Sequence, residues 1–133
     1  MSGGVAPFTV DDPEGAEVGY RWYAMKGVKP LFPFGYGLSY TSFSYANLKV
    51  QDGAALTVSF DVTNIGNRTG ADVPQLYVQA KGSANFANFR LAGFDKIALS
   101  PGETRRVTMT VDPRLIARYE EGVGWQLDGG SYA

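Results

Sequence analysis

Leu56-Thr57-Val58-Ser59-Phe60-Asp61-Val62-Thr63 alternates apolar and polar side chains without a break. Successive side chains of an extended chain point to opposite faces, so a period of two marks a strand with one face buried and the other wet. Leu56, Val58, Phe60 and Val62 belong to the buried face. Asn64 to Gly70 ends the run with Asn and Gly, residues that favour turns. Upstream, Phe43 to Val50 alternates around Phe43, Tyr45, Leu48 and Val50. Gln51-Asp52-Gly53 joins the two runs, and Asp-Gly is a strong hairpin signal.

The same texture continues downstream. Val73 to Gln79 reads as a strand with Leu76 and Val78 on one face and Gln75, Tyr77 and Gln79 on the other. Lys81 to Phe89 is a loop rich in Asn, Gly and Ser. Leu91 to Leu99 reads as one strand, with Phe94, Ile97 and Leu99 as core contacts. Ser100-Pro101-Gly102-Glu103 makes a tight turn, and Val107, Met109 and Val111 alternate after it. Asp112 caps a short helical turn begun by Pro113. Trp125 and Leu127 open another strand, Asp128-Gly129-Gly130 turns, and Ser131-Tyr132-Ala133 begins a last one. No segment carries a helical stripe of useful length. Short strands at roughly ten-residue spacing make an antiparallel β-sandwich. A three-residue final strand is too short to cover a sheet edge, so it reads as incomplete.

Three regions differ in composition. Residues 1–14 form an irregular lead, residues 15–45 are dense in Gly, Pro and aromatics, and residues 46–133 carry the strand pattern. The 133 residues fit a single core. Twelve Lys and Arg against thirteen Asp and Glu leave a net charge of −1, with no field to attract nucleic acid or an anionic membrane. No apolar run is long enough to span a bilayer. The chain has no Cys and no His. That excludes a thiolate metal site, a Ser-His-Asp triad and a zinc-hydrolase centre built from this chain alone, and no cofactor motif is present.

Pro30-Leu31-Phe32-Pro33-Phe34-Gly35-Tyr36-Gly37-Leu38-Ser39-Tyr40-Thr41 resembles the motif that opens the C-terminal fibronectin-III-like domain of family 3 glycoside hydrolases, the β-glucosidases and β-xylosidases. Glu14-Gly15 and Val18-Gly19-Tyr20-Arg21-Trp22-Tyr23 resemble the segment ahead of it. Val62-Thr63-Asn64, Gln75-Leu76-Tyr77-Val78, Leu91-Ala92-Gly93-Phe94 and Leu99-Ser100-Pro101-Gly102-Glu103 resemble the strands that follow. The resemblance implies an immunoglobulin/fibronectin-III-like sandwich with an extended N-terminal wrapping segment and an incomplete last strand. It implies that residues 15–45 are the tail of a preceding hydrolase domain plus an aromatic linker-clamp. It also implies that the nucleophilic Asp and the acid/base of a retaining mechanism lie in preceding domains, so this chain carries no catalytic residue. The parent enzyme's catalytic domains are then the expected partner, and terminal β-linked glucose or xylose the parent's substrate.

Several residues have two readings. Phe32, Phe34, Tyr36 and Tyr40 form either an interdomain clamp, stiffened by Pro30 and Pro33, or a sugar-stacking platform. Arg21, between Tyr20 and Trp22, is either an ion-pair residue at the domain junction or a sugar contact. Asn85, Phe86, Asn88 and Phe89 are either a solvated loop or a border of the parent's active-site mouth that touches oligosaccharide. Asp11, Asp12, Glu14 and Glu17, and adjacent Glu120 and Glu121, are solvated and turn-forming charges rather than an acid/base pair, since strand neighbours face opposite ways. Residues 15–23 can alternatively supply an edge strand. The exposed clamp and open sheet edges imply self-association or strand exchange of the chain by itself. Asn67-Arg68-Thr69 fits a glycosylation acceptor, which matters only in a eukaryotic secretory pathway, and the sequence names no compartment beyond a periplasmic or secreted setting for the parent.

Overall fold

The structure, a computed structural model, describes residues 18–53, 55–79 and 89–127. In chain order these hold helix α1 (Tyr20–Lys26) and strands β1 (Phe43–Gln51), β2 (Thr57–Asn64), β3 (Gly70–Asp72), β4 (Gln75–Val78), β5 (Arg90–Phe94), β6 (Ile97–Leu99), β7 (Thr104–Thr110), β8 (Arg118–Glu120) and β9 (Gly124–Gln126). Among the described residues the fold is all-β apart from α1 and one 3₁₀ turn, and it is the expected antiparallel sandwich.

One layer is three-stranded, in the order β1-β2-β7. The opposing layer is a kinked two-stranded ribbon. β3 and β4 are halves of one strand interrupted at Val73-Pro74, where Pro74 has no N–H to give a ladder. β5 and β6 are halves of its partner, interrupted at Asp95-Lys96. Gly70 pairs with Leu99 at one end and Val78 with Arg90 at the other. The Asp95 amide bridges the break by donating to the Pro74 carbonyl at 3.2 Å.

Strand β2 shows how the sequence specifies the layers. Val58, Phe60, Val62 and Asn64 are buried, while the residues between them are half-buried. Val107 and Met109 from β7 and Ile97 and Leu99 from β6 complete this core. Val78, Ala92 and Val111 form a second cluster, and Leu56 and Leu76 pack against both. Each fully buried Val, Leu, Ile, Phe or Met among them contributes roughly 1.5–3 kcal/mol by leaving water.

Among the described residues Asn64 is the buried polar exception, with 0% exposure. Its side-chain oxygen accepts from the Thr41 hydroxyl at 2.8 Å and the Gly66 amide at 3.1 Å. Its side-chain nitrogen donates to the Arg68 carbonyl at 2.7 Å and the Leu99 carbonyl at 3.0 Å. The Asn64 amide donates to Glu103, and its carbonyl accepts from Gly102 at 2.9 Å. One residue therefore joins the linker, the β2–β3 turn, strand β6 and the β6–β7 turn. Gly70 is required beside it, because a Cβ there would strike the Thr41 methyl group.

The structure departs from the sequence reading in four places. Phe94 is 68% exposed instead of core. Phe94 and Ile97 are an odd number of residues apart, so a straight strand cannot bury both; the break at Asp95-Lys96 sends Ile97 inward and leaves Phe94 out. Tyr20–Lys26 is helix, so residues 20–23 do not form an edge strand and the wrapping segment is not extended throughout. Strand β1 carries a bulge between Ala46 and Lys49, with Asn47 at φ 54°, a conformation Asn tolerates. Trp125 lies in a strand as read, β9, but that strand pairs in a hairpin with β8, which the sequence reading did not include. The short turn capped by Asp112, whose carboxylate accepts from the Arg114 amide, forms as read. The last strand read at Ser131-Tyr132-Ala133 lies outside the described residues.

Asn64→Ala will strand several buried partners, and urea unfolding should show a loss of about 3 kcal/mol. Acid will also weaken the fold. Arg114 holds the Asp112 carboxyl down at about 2. The Ser100 amide and Arg105 lower Glu103, and Asn47 and Arg106 lower Asp61. A carboxyl whose folded pKa is depressed stabilises fully above its unfolded value, about 4. That contribution fades as pH falls toward 2. The urea midpoint should therefore drop across this window, and less steeply in Asp112→Asn.

Candidate functional site

The segment from Tyr20 to Thr41 is the most exposed apolar part of the described chain. Helix α1 lies between two glycines with positive φ, Gly19 at 63° and Gly27 at 64°. Gly27 closes it in the left-handed conformation, its amide donating to the Ala24 carbonyl at 3.2 Å. Lys26, in the last turn, sits 4.6 Å from the centre of the Trp22 ring. Tyr20 fixes the helix to the ribbon. Its hydroxyl accepts from the Leu91 amide at 2.8 Å, and its ring meets Tyr77 edge-on at 5.5 Å. Burial, with Tyr20 close by, pushes the Tyr77 hydroxyl pKa up.

Beyond the helix, two consecutive turns shape the aromatic motif. Tyr36 N–H donates to Pro33 and Leu38 N–H to Gly35, both at 3.1 Å. Gly35 and Gly37 both have φ 79°, which a side chain would strain. The motif is then docked by Ser39, whose hydroxyl donates to the Ala71 carbonyl, and by Thr41 on Asn64. It is anchored at both ends and open between them.

The predicted clamp residues lie in that open stretch. Phe34 is 77% exposed and Tyr40 81%. Phe32 and Tyr36 stand together, ring centres 4.9 Å apart, and are also exposed. Leu31 and Leu38 extend the same surface. Arg21 is not part of this row. It is half-buried and lines an open groove of about 870 Å³ with Tyr20, Arg90, Tyr119 and Trp125. Two of the groove's arginines bond within the protein: Arg90 donates to the Ala117 carbonyl at 2.9 Å, and Arg118 pairs with Glu120 at 2.7 Å. Glu120 is thus held in an ion pair and Glu121 lies in the following turn. Tyr119 and Trp125 meet edge-on at 5.6 Å on the β8–β9 hairpin. Of the predicted loop, Phe89 is 47% exposed. Asn85, Phe86 and Asn88 lie outside the described residues, as do Asp11, Asp12, Glu14 and Glu17.

Two features escaped sequence reasoning. Asn64 reads as a strand terminator, and only the contacts of Thr41 and Leu99 reveal it as a junction. The Tyr119–Trp125 pair depends on a hairpin register that a three-residue strand does not announce.

Residues 72–133 match the family model described as the fibronectin type III-like domain. The thermostable β-glucosidase B of Acetivibrio thermocellus is 42% identical over 130 residues, covering 92% of this chain and 17% of that protein. β-Glucosidase B of Emericella nidulans is 44% identical over 126 residues, covering 90% of this chain and 15% of that protein. Among solved structures, the β-glucosidase DesR from Streptomyces venezuelae in complex with D-glucose superposes with a TM-score of 0.81 at 40% identity, covering 90% of this chain and 16% of that one. The GH3 β-glucosidase of Bifidobacterium adolescentis gives 0.79 at 36% identity, covering 90% and 18%. The fold is a fibronectin type III-like sandwich. The chain carries the form of that domain found in family 3 glycoside hydrolases and spans about one-sixth of the relatives' length.

Because the clamp rings contact little of their own chain, Phe34→Ser and Tyr40→Ser should each change the stability of this chain by less than about 0.5 kcal/mol. Urea unfolding checks this directly.

Proposed function

We propose that this chain is a non-catalytic accessory domain that packs against the catalytic domains of a family 3 glycoside hydrolase and stabilises them. The parent removes terminal β-linked glucose or xylose. The exposed row Leu31, Phe32, Phe34, Tyr36, Leu38 and Tyr40 carries this reading. A surface of this size and apolarity belongs to an interface. Its backbone is set by glycine turns and fixed at both ends, so little ordering entropy opposes docking. The similarity to β-glucosidases covers at least 90% of the chain, too much to leave out the 20–41 segment. Residues 15–45 are accordingly assigned to the junction and residues 46–133 to the sandwich.

A second reading places oligosaccharide at the loop ending in Phe89, whose ring is half-exposed. Titrating the chain with cello-oligosaccharides under Trp fluorescence separates the two, and the accessory role predicts no saturable change. The chain alone should not hydrolyse aryl β-glucosides. In the parent enzyme, Phe34→Ser combined with Tyr40→Ser should lower the melting temperature by several degrees, about 2 kcal/mol. Turnover by the pure chain, or an unchanged parent melting temperature, contradicts the proposal.

A further inference from the structure

Five aspartates lie among the described residues: Asp52, Asp61, Asp72, Asp95 and Asp112. Four of them are braced, or are followed by a residue that hinders attack on the carboxyl carbon. Asp61 accepts from Asn47 at 2.7 Å and from Arg106 at 2.8 Å. Asp112 is paired with Arg114, and its successor Pro113 has no N–H. Asp72 accepts from the Tyr45 hydroxyl on one oxygen and from the Val73 amide at 2.9 Å on the other. It is half-buried, and the branched Cβ of Val73 crowds that amide. Asp95 sits at the β5–β6 break, where its own amide is tied to the Pro74 carbonyl and Lys96 follows it.

Asp52 differs from all four. It and Gly53 are exposed in the connection that joins β1 to β2. The Gly53 amide donates to the Asp52 carboxylate at 2.9 Å, and among the described residues that is the carboxylate's one hydrogen bond. The amide nitrogen is thereby drawn up beside Cγ of Asp52, the carbon that bears the oxygen it donates to. Gly53 has no Cβ to obstruct that approach, and among the described residues no atom lies within 4 Å of where a Cβ would sit. Glycine also gives the backbone the widest choice of φ and ψ. Asp72 and Val73 make the same amide-to-carboxylate bond, so they serve as an internal comparison with a braced carboxyl and a branched successor.

We infer that Asp52 is a site of spontaneous isoaspartate formation. The Gly53 backbone nitrogen gives up its proton and bonds to Cγ of the protonated Asp52 carboxyl. The carboxyl hydroxyl takes up a proton and leaves as water, which closes a five-membered succinimide ring. A second water then opens the ring. Cleavage between nitrogen and Cγ restores Asp52; cleavage between nitrogen and the former backbone carbonyl carbon gives isoaspartate. One water leaves and one enters, so the product keeps the mass of the starting chain, and water is the only co-reactant. The product routes the backbone through the side-chain methylene. It lengthens the connection by one carbon, beside the Gln51–Thr57 pair at the end of the β1–β2 ladder. This inference concerns the covalent chemistry of one turn and does not rest on the docking role proposed above.

Prolonged incubation of the whole chain in warm, mildly acidic buffer tests it. Peptide mapping with electron-transfer fragmentation then reads each aspartate separately. Isoaspartate should accumulate at Asp52 at least several-fold faster than at Asp61, Asp72, Asp95 or Asp112. Early samples should contain the same peptide in its dehydrated, succinimide form. Gly53 has no positive φ and has open space at its Cβ position, so Gly53→Ala should keep the native circular dichroism spectrum. The added methyl group should slow the reaction at Asp52 several-fold. Isoaspartate that forms no faster at Asp52 than at the other four, or a rate unchanged in Gly53→Ala, would overturn the inference.

Discussion

The Thr41–Asn64 hydrogen bond is the point on which the parts of this molecule meet. Asn64 sits at the end of β2 with no solvent exposure, and each of its polar groups has a protein partner. A buried amide left unpaired costs more than a made hydrogen bond returns. The linker, the β2–β3 turn, β6 and the Ser100–Glu103 turn must therefore adopt mutually consistent positions. Gly66 and Gly70 lack side chains because Thr41 occupies that space. The consequence reaches the surface: with Thr41 fixed at one end and Tyr20 at the other, the aromatic turns between them are held in place without being buried.

That arrangement separates stability from recognition. The core clusters keep the sandwich folded, whereas the rings at 31–40 contribute little to it and remain available. A domain whose own fold does not need its most apolar surface is suited to packing against something else. Several of the described carboxylates are engaged in caps and ion pairs, as with Asp112 and Arg114, Glu103 and Arg105, and Glu120 and Arg118. Tyr45 follows the same pattern, its hydroxyl bonded to the Asp72 carboxylate and its pKa pushed up by burial first and then by Asp72.

The sequence makes legible what depends on local pattern. β2, with its unbroken alternation, appears at its expected residues, and the Asp112–Pro113 turn forms because a side-chain cap and a fixed proline φ act within a few residues. What depends on neighbours far along the chain is less legible. Phe94 faces outward because Asp95-Lys96 resets the phase of its strand. Of the candidate residues, the exposed aromatic turns at 31–40 were readable as one local unit from their prolines, glycines and rings. Arg21 parts from it because a short helix, with no apolar stripe to announce it, turns that side chain toward the β8–β9 hairpin.

Hydrogen–deuterium exchange over residues 28–41 tests the accessory role most directly, compared between this chain alone and the same segment within a complete family 3 hydrolase. Docking against catalytic domains predicts fast exchange in the isolated chain and strong protection in the complete enzyme. Equal, fast exchange in both would contradict it.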